Sequence, residues 1–311
     1  MYVLAIFLFG SFAWLLYETK WLTIRLPAGQ LLRREPNPMA EAVVQPQRNR
    51  VMEAAIYLLA STTGMKEALI YLLVITAAEV LTVIVQPVLG IVCHIAILIS
   101  VVVHSAIARE YPYRHLILSL GLIPLIRILS LSMPLANIPQ IWWYPIIYFP
   151  ILVAAVIVMR ILDYKAGDIG LNFGVFPVQL AVGLTGFVFG TVEYFILTEE
   201  AIATGLVLRE TPLLAVLLLP LCTGVVEELI FRGVLQRTAV EVFRWWGIVY
   251  ISLLFAILHT GFLSWIDVIF VFGVALFFGW VVNKTRSLFG VIVSHSITNL
   301  VLYVLIPSFL G

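Results

Sequence analysis

Charged residues are scarce in this sequence. Asp, Glu, Lys and Arg together make up 11% of its 311 residues, whereas hydrophobic residues make up 62%. Soluble globular chains average about 25% charged residues, so this chain lacks the polar surface that a water-soluble fold of its size requires. The composition excludes an ordinary soluble domain and places the chain in a lipid bilayer.

Two further shortages narrow the functional classes. Eighteen basic and 17 acidic residues leave a net charge of +1, so no basic surface favours nucleic acid as a partner. Cys93 and Cys222 are the two cysteines, and both lie in apolar runs. This pattern excludes a disulfide framework and a CxxC-type metal site.

Apolar runs of membrane-spanning length are abundant. A helical span needs about 20 apolar residues, and charged, proline-containing or glycine-rich joints divide the runs. Division at these joints predicts spans at residues 1–17, 67–86, 88–108, 116–133, 141–160, 177–198, 212–235, 247–263, 265–283 and 287–306. We therefore predict an all-α, polytopic transmembrane helical bundle of about eight to ten spans, with the catalytic helices in the C-terminal third.

The basic residues of the joints are distributed unevenly. If successive joints alternate between the two sides of the membrane, the Lys and Arg residues of the joints fall on the side of residues 18–66, and Arg209 is the exception. Cytoplasmic joints carry an excess of Lys and Arg. The sequence therefore predicts a multi-pass protein of the cell membrane in which residues 18–66 are cytoplasmic.

The chain before residue 205 divides into three predicted regions. We expect residues 1–17 to be an N-terminal transmembrane anchor, with a cleaved signal peptide as the alternative. Residues 18–66 are a basic cytoplasmic segment, mostly loop, with an interfacial helix near Val51–Ala60. Residues 67–200 are expected to form accessory transmembrane helices.

Ionisable residues inside the apolar spans are the functional candidates, because a charge in the bilayer is costly to keep without a role. They are Glu79, His94, His104, Arg127, Glu193, Glu227, Glu228, Arg232, Asp267 and His295, with His259 near the end of a span. Arg127 requires a carboxylate partner, and Glu79 and Glu193 are the two candidates.

The densest group of charges lies at residues 226–233. On a helix, Glu228 and Arg232 are four residues apart with the acid first, so the two side chains can form an ion pair. Glu227 is rotated by about 100° from Glu228 and points elsewhere. A carboxylate that is withdrawn from water is a stronger base, so Glu227 is a candidate general base. The alternative is a structural ion pair with a second, solvated acid.

Two later spans carry polar pairs with helical spacing. Phe255 and His259 are four residues apart, as are His295 and Asn299, so each pair lies on one helix face. An imidazole and an amide on one face can donate two hydrogen bonds to a developing oxyanion. Taken alone, His259 is as well explained by packing, and His295 and Asn299 by polar contacts between helices. Together with Glu227, the three spans supply the groups that a hydrolase needs.

These motifs carry a family resemblance. Glu227-Glu228-x-x-x-Arg232, Phe255-x-x-x-His259 and His295-x-x-x-Asn299, in this order on successive spans, resemble the signature of the CPBP family of intramembrane peptidases. The family is also called ABI or type II CAAX prenyl endopeptidase. The likeness covers about residues 212–305, and we assign residues 205–306 to a CPBP/ABI-like domain.

The resemblance implies a role for each motif residue. It makes Glu227 the general base and His259 a second residue that binds the attacking water. His295 and Asn299 become the hydrogen-bond donors to the oxyanion. Supporting roles fall to Glu228, Arg232 and Phe255.

The resemblance also implies an activity. The expected function is endopeptidase cleavage of a membrane-associated substrate, of the prenylated CAAX type in some members, at an active site nearer the cytoplasmic side. The expected partners are membrane lipids and a peptide or lipoprotein substrate. Two alternatives stay open: a membrane transporter or proton-coupled carrier, which also buries charges, and a catalytically silent member that acts as an immunity or scaffold protein.

The metal dependence of such a site has two versions. Glu227, His259 and His295 could hold a zinc ion with water as its fourth ligand. However, the HExxH signature is missing, and a His295 that donates to an oxyanion is not available as a ligand. We therefore expect a site that requires no cofactor, with a divalent metal such as zinc as the alternative.

Overall fold

A computed structural model describes residues 47–108, 113–133, 138–208 and 212–310. The predicted anchor 1–17 and most of segment 18–66 lie outside these residues. The chain divides into two compact units, Met1–Val51 and Met52–Gly311, and the helices given below belong almost entirely to the second.

Within the described ranges, the regular secondary structure is helical and no strand is found. The helices are α1 (Gln47–Val80), α2 (Pro87–Ile107), α3 (Arg114–Leu120), α4 (Leu122–Ser132), α5 (Trp143–Ile161), α6 (Phe176–Ile196), α7 (Thr198–Leu208), α8 (Pro212–Leu219), α9 (Gln236–Phe243), α10 (Trp245–Ile257), α11 (Trp265–Thr285), α12 (Phe289–Leu300) and α13 (Ile306–Leu310). Short 3₁₀ turns form at Gln140–Trp142 and Leu258–Phe262, and π-helical turns at Leu81–Val85, Pro220–Glu227, Leu229–Leu235 and Val301–Leu305.

Eight helical stretches in the described part of the chain are long and apolar enough to cross a membrane. They are Gly64–Val85, Pro87–Ile107, Arg114–Ser132, Gln140–Ile161, Phe176–Ile196, Trp245–Phe262, Trp265–Thr285 and Phe289–Phe309. Each agrees with a predicted span to within a few residues. The predicted class, an all-α polytopic bundle, is therefore confirmed.

Two predicted boundaries differ from the structure. Helix α1 begins at Gln47 and includes the part of segment 18–66 that is described, so the helix expected near Val51–Ala60 continues directly into the next span. The span predicted at 212–235 is not one regular helix: α8 passes into consecutive π-helical turns that carry the charged motif. π-helical turns often occur at functional sites because they widen the helix locally.

Glycine residues bring α6 into backbone contact with α12. A Cβ atom at Gly186 would lie 2.2 Å from the carbonyl oxygen of Ser294, and one at Gly190 would lie 2.5 Å from that of Thr298. Small residues allow this close approach of membrane helices. Because later residues of α6 meet later residues of α12, the two helices run parallel, and α6 fixes the position of the face that carries the third motif.

A second close contact joins α12 to the π-helical turn Pro220–Glu227. A Cβ atom at Gly224 would lie 2.2 Å from the hydroxyl oxygen of Ser296. Helix α5 also packs against this turn. Residues of the first motif are therefore held between α5 and α12.

Candidate active site

The predicted site residues converge on one cavity of about 360 Å³. The residues of the predicted set that line it are Glu227, Arg232, Phe255, His259, His295 and Asn299. Glu228 lies behind the cavity wall and is fully buried. The structure thus brings all three motifs together, as the sequence predicts, although their roles in catalysis stay predictions.

Glu228 is the centre of a buried charge cluster. Its Oε1 atom lies 2.9 Å from Nη1 of Arg232, which confirms the predicted ion pair. The same oxygen lies 2.7 Å from Nδ1 of His295, a contact that the sequence did not predict. Because a carboxylate oxygen accepts, Nδ1 of His295 donates this hydrogen bond. Glu228 therefore fixes the orientation of the imidazole and neutralises the buried guanidinium.

Glu227 points away from Arg232 and into the cavity. Its Oε1 atom accepts a hydrogen bond from the hydroxyl group of Tyr148 on α5. Its Oε2 atom lies 3.8 Å from Nε2 of His295. One carboxylate oxygen is thus anchored, and the other faces the second imidazole nitrogen across a gap.

His259 lies on the 3₁₀ turn that ends α10. Its Nδ1 atom lies 3.0 Å from the carbonyl oxygen of Phe255. A carbonyl oxygen only accepts, so Nδ1 carries the proton and Nε2 of the neutral ring keeps its lone pair. The imidazole is therefore oriented to act as a hydrogen-bond acceptor or base at Nε2.

Phe255 packs at the centre of the site. Its ring lies 4.9 Å from the ring of His259 and 4.7 Å from that of Phe231. The guanidinium carbon of Arg232 lies 4.4 Å from the centre of the Phe255 ring. Such a cation–π contact stabilises a desolvated guanidinium, which agrees with the supporting place expected for Phe255.

Asn299 extends from α12 one turn after His295. Its amide nitrogen donates to the hydroxyl oxygen of Thr223 over 2.8 Å, and that hydroxyl group donates to the carbonyl oxygen of Leu219 over 2.6 Å. An amide nitrogen has two N–H groups, so this bond orients the amide and uses only one donor.

The described residues do not fit the zinc site that was considered as the alternative. Within the described part of the chain, no three or more His, Cys, Asp or Glu side chains are grouped so that they could hold a metal ion. Glu227, His259 and His295 line one cavity without forming such a group. A role without metal for these residues stays a prediction.

The sequence of this region matches a known family. Residues 209–301 match the model of the family described as type II CAAX prenyl endopeptidase Rce1-like. This segment is Rce1-like. The match includes every residue of the three motifs and confirms the resemblance to CPBP peptidases. No curated protein and no solved structure matches the sequence significantly.

The Rce1-like segment indicates a CAAX-protease type of peptidase at the level of the family. The match covers less than a third of the chain, so the helices before residue 209 lie outside it. The eight apolar helices indicate a multi-pass membrane protein.

Several of the residues that line the cavity come from outside the Rce1-like segment, among them Tyr148, Arg127 and Glu193. Tyr148 was not identified from the sequence, because tyrosine is common in apolar spans. The one signal in the sequence is that Tyr144 and Tyr148 are four residues apart and so lie on one helix face. Arg127 pairs with Glu79, one of its two predicted partners: Nε of Arg127 lies 2.6 Å from Oε1 of Glu79. Its terminal nitrogen also donates to the carbonyl oxygen of Leu258, beside His259.

Proposed function

We propose that the protein is an intramembrane endopeptidase that hydrolyses a peptide bond of a membrane-associated, CAAX-type lipopeptide without a metal ion. The observation that carries this proposal is the position of Glu227. Its carboxylate enters a cavity within the bundle, is anchored by Tyr148, and faces His295. The basic joints of the sequence favour an opening towards the cytoplasmic side of the cell membrane.

In this proposal Glu227 is the general base. It takes a proton from a water molecule as the water oxygen attacks the carbonyl carbon of the scissile bond. The lone pair on Nε2 of His259 accepts the other hydrogen of the water. As the C–N bond breaks, Glu227 gives the proton to the leaving amine nitrogen, so the reaction consumes one water and restores the side chain.

The negative charge on the carbonyl oxygen needs donors that are fixed before the reaction. Asn299 supplies the N–H group that is not used by Thr223. His295 supplies Nε2–H when both of its ring nitrogens are protonated. Carboxylates on either side of the ring, Glu228 and Glu227, match this doubly protonated form.

The test is cleavage of a fluorescence-quenched, farnesylated peptide by the purified full-length protein in lipid nanodiscs. We expect wild type to cleave it, and Glu227→Gln to lose on the order of 10³-fold in rate, within the range for removal of a general base. Glu199→Gln is the matched control, because Glu199 is an exposed acid on α7. Equal rates for wild type and Glu227→Gln would reject the base, and an intact peptide in every sample would favour a silent scaffold or a carrier.

A further inference from the structure

Glu193 is an acidic residue of the cavity that has no role in the proposed hydrolysis. It lies on α6, its residue is 8% exposed, and it lines the cavity together with Glu227 and His295. Arg127, once a candidate partner, binds Glu79 instead. Among the described residues, the Glu193 carboxylate forms no hydrogen bond and no ion pair. A carboxyl group withdrawn from water in this way requires a partner.

Asp267 is a second buried acid, and its charge acts on Glu193. It is 0% exposed, at the start of α11, and neither of its carboxylate oxygens has a hydrogen-bond partner in the described ranges. The electrostatic fields of two acids, Asp267 and Glu227, act on Glu193, and the field of His295 opposes them. Two acids repel each other, so a positively charged group that reaches Glu193 from the cavity would be bound favourably.

The packing of α6 against α11 explains why these acids meet. Near the start of α6, Val182 and Thr185 lie beside Phe277, which is late in α11. Further along α6, the ring of Phe189 lies 5.8 Å from that of Phe277 and 6.4 Å from that of Phe270, so the contact extends towards earlier residues of α11. The helices are therefore antiparallel. Glu193 lies four residues after Phe189, and Asp267 lies three residues before Phe270. Both acids therefore lie beyond the contact between the two rings, towards the same end of the helix pair.

The parallel packing of α6 and α12 gives the offset of Glu193 from Asn299, one of the proposed oxyanion donors, along the helix axis. Gly190 lies level with Thr298, beside Asn299, and Glu193 is three residues further, about 4.5 Å along the helix axis. One residue of an extended peptide spans about 3.3–3.6 Å. A substrate side chain that reaches Glu193 therefore belongs to a residue within two positions of the scissile bond.

We propose that Glu193, whose charge is reinforced by that of the buried Asp267, binds the ammonium or guanidinium group of a Lys or Arg residue of the substrate, within two positions of the bond that is cut. This inference rests on the proposed peptidase function and adds a substrate preference to it. Phe189 and Phe270, which also line the cavity, pack against the aliphatic part of the basic side chain. Long basic side chains bury their stems in this manner while the charged end finds polar partners.

The test compares matched farnesylated, quenched peptides in which one of the two residues on either side of the scissile bond is Lys or norleucine. The readout is the ratio of kcat/KM for the Lys peptide to that for the norleucine peptide. For wild type we expect a ratio well above one at one of these positions. In Glu193→Gln the ratio should fall roughly 10- to 100-fold, the value of a hydrogen bond to a charged group.

Three controls make the result specific. Glu193→Asp keeps the charge and should keep most of the ratio, and Glu199→Gln should leave the ratio unchanged. Asp267→Asn should reduce the ratio less than Glu193→Gln does, because Asp267 does not line the cavity. Each variant is first checked for its melting temperature in nanodiscs, so that loss of folding is separated from loss of preference.

The outcomes separate this inference from the proposed function. If wild type cleaves the peptides but prefers norleucine or shows no preference, the acidic subsite is rejected while the peptidase stands. The subsite is rejected as well if Glu193→Gln lowers both rates equally. If wild type and all variants leave every peptide intact, the proposed function itself fails, and the inference falls with it.

Discussion

The bundle contains two buried glutamates with the same kinds of partners. Glu228 contacts Arg232 over 2.9 Å and His295 over 2.7 Å. Glu79 contacts Arg127 over 2.6 Å, and the Nε2 atom of His94 lies 3.1 Å away. Both glutamates are 0% exposed. Each cluster meets the requirement that a charge in the bilayer be paired.

The clusters differ in what lies next to them. Glu228 has Glu227 as its neighbour, and this second carboxylate enters the cavity. The Glu79 cluster joins α1, α2 and α4, and it reaches the site through Arg127, which lines the cavity and donates to the carbonyl group of Leu258. The comparison teaches that an ion pair alone does not distinguish an active-site glutamate from a structural one in this bundle. The difference is the additional acid Glu227, which faces the cavity and could take part in a reaction there.

Glu228→Gln should produce the largest effect among changes to the two clusters. It removes the charge that orients His295 and leaves the buried Arg232 without its anion. We expect kcat to fall roughly 10²- to 10³-fold, the usual cost of losing one oxyanion donor. Steady-state kinetics with the quenched peptide measure this. If Glu79→Gln lowered kcat by as much, the distinction between the two clusters would be wrong.

Arg127→Met should act mainly on stability. It leaves the Glu79 charge buried without its partner, which costs about 3–5 kcal/mol, so the melting temperature in nanodiscs should drop. Activity per folded molecule should fall up to roughly 10²-fold, because the turn that carries His259 loses a donor and misplaced groups react slowly. The double variant Arg127→Met/Glu79→Leu should recover most of the stability and little of the activity. Recovery of both would show that Arg127 has no influence on His259.

Tyr148→Phe should have a smaller effect, confined to the chemical step. It removes one hydrogen bond to Glu227, and we expect kcat to fall roughly tenfold while KM changes little. Tyr164→Phe is the matched control, since Tyr164 donates to Glu241 over 3.1 Å at an exposed position. An unchanged kcat in Tyr148→Phe would mean that Glu227 needs no anchor from outside the Rce1-like segment.

Chelation should have the smallest effect of all. If neither cluster holds a metal ion, prolonged treatment with a strong chelator should leave the cleavage rate and the melting temperature of wild type unchanged. A loss of activity that zinc restores would assign a ligand role to residues of the cavity and reverse the proposed chemistry.

The parts of the fold that depend on composition were predictable. The lengths of the apolar runs predicted the spans, and ionisable residues inside such runs marked Glu227, His259 and His295 for attention. Arg127 was expected to find a carboxylate because an unpaired cation in the bilayer is too costly. In each case the physical requirement is visible in the type of residue and its position.

Other parts have no signature in a single sequence. A π-helical turn shifts the hydrogen-bond register of the backbone without any change in apolar composition, so residues 212–235 were predicted as an ordinary span. The hydrogen bond from Arg127 to Leu258 ends on a backbone carbonyl group. Every residue has such a group, so no residue type in the sequence marks this contact. The bond from Nδ1 of His295 to Glu228 depends on how α12 is rotated against the π-helical turn, and tertiary packing alone sets that rotation.

The glycine contacts of Gly186 and Gly190 have a practical consequence for protein engineering. Residues 212–310 expressed without α6 would expose to lipid a strip of α12 that is shaped for another backbone, and without α5 Glu227 would lose Tyr148. The Rce1-like segment is therefore a poor unit for transplantation. A chimera between this protein and a relative should exchange α5 through α12 as one block, with its crossover placed before residue 140.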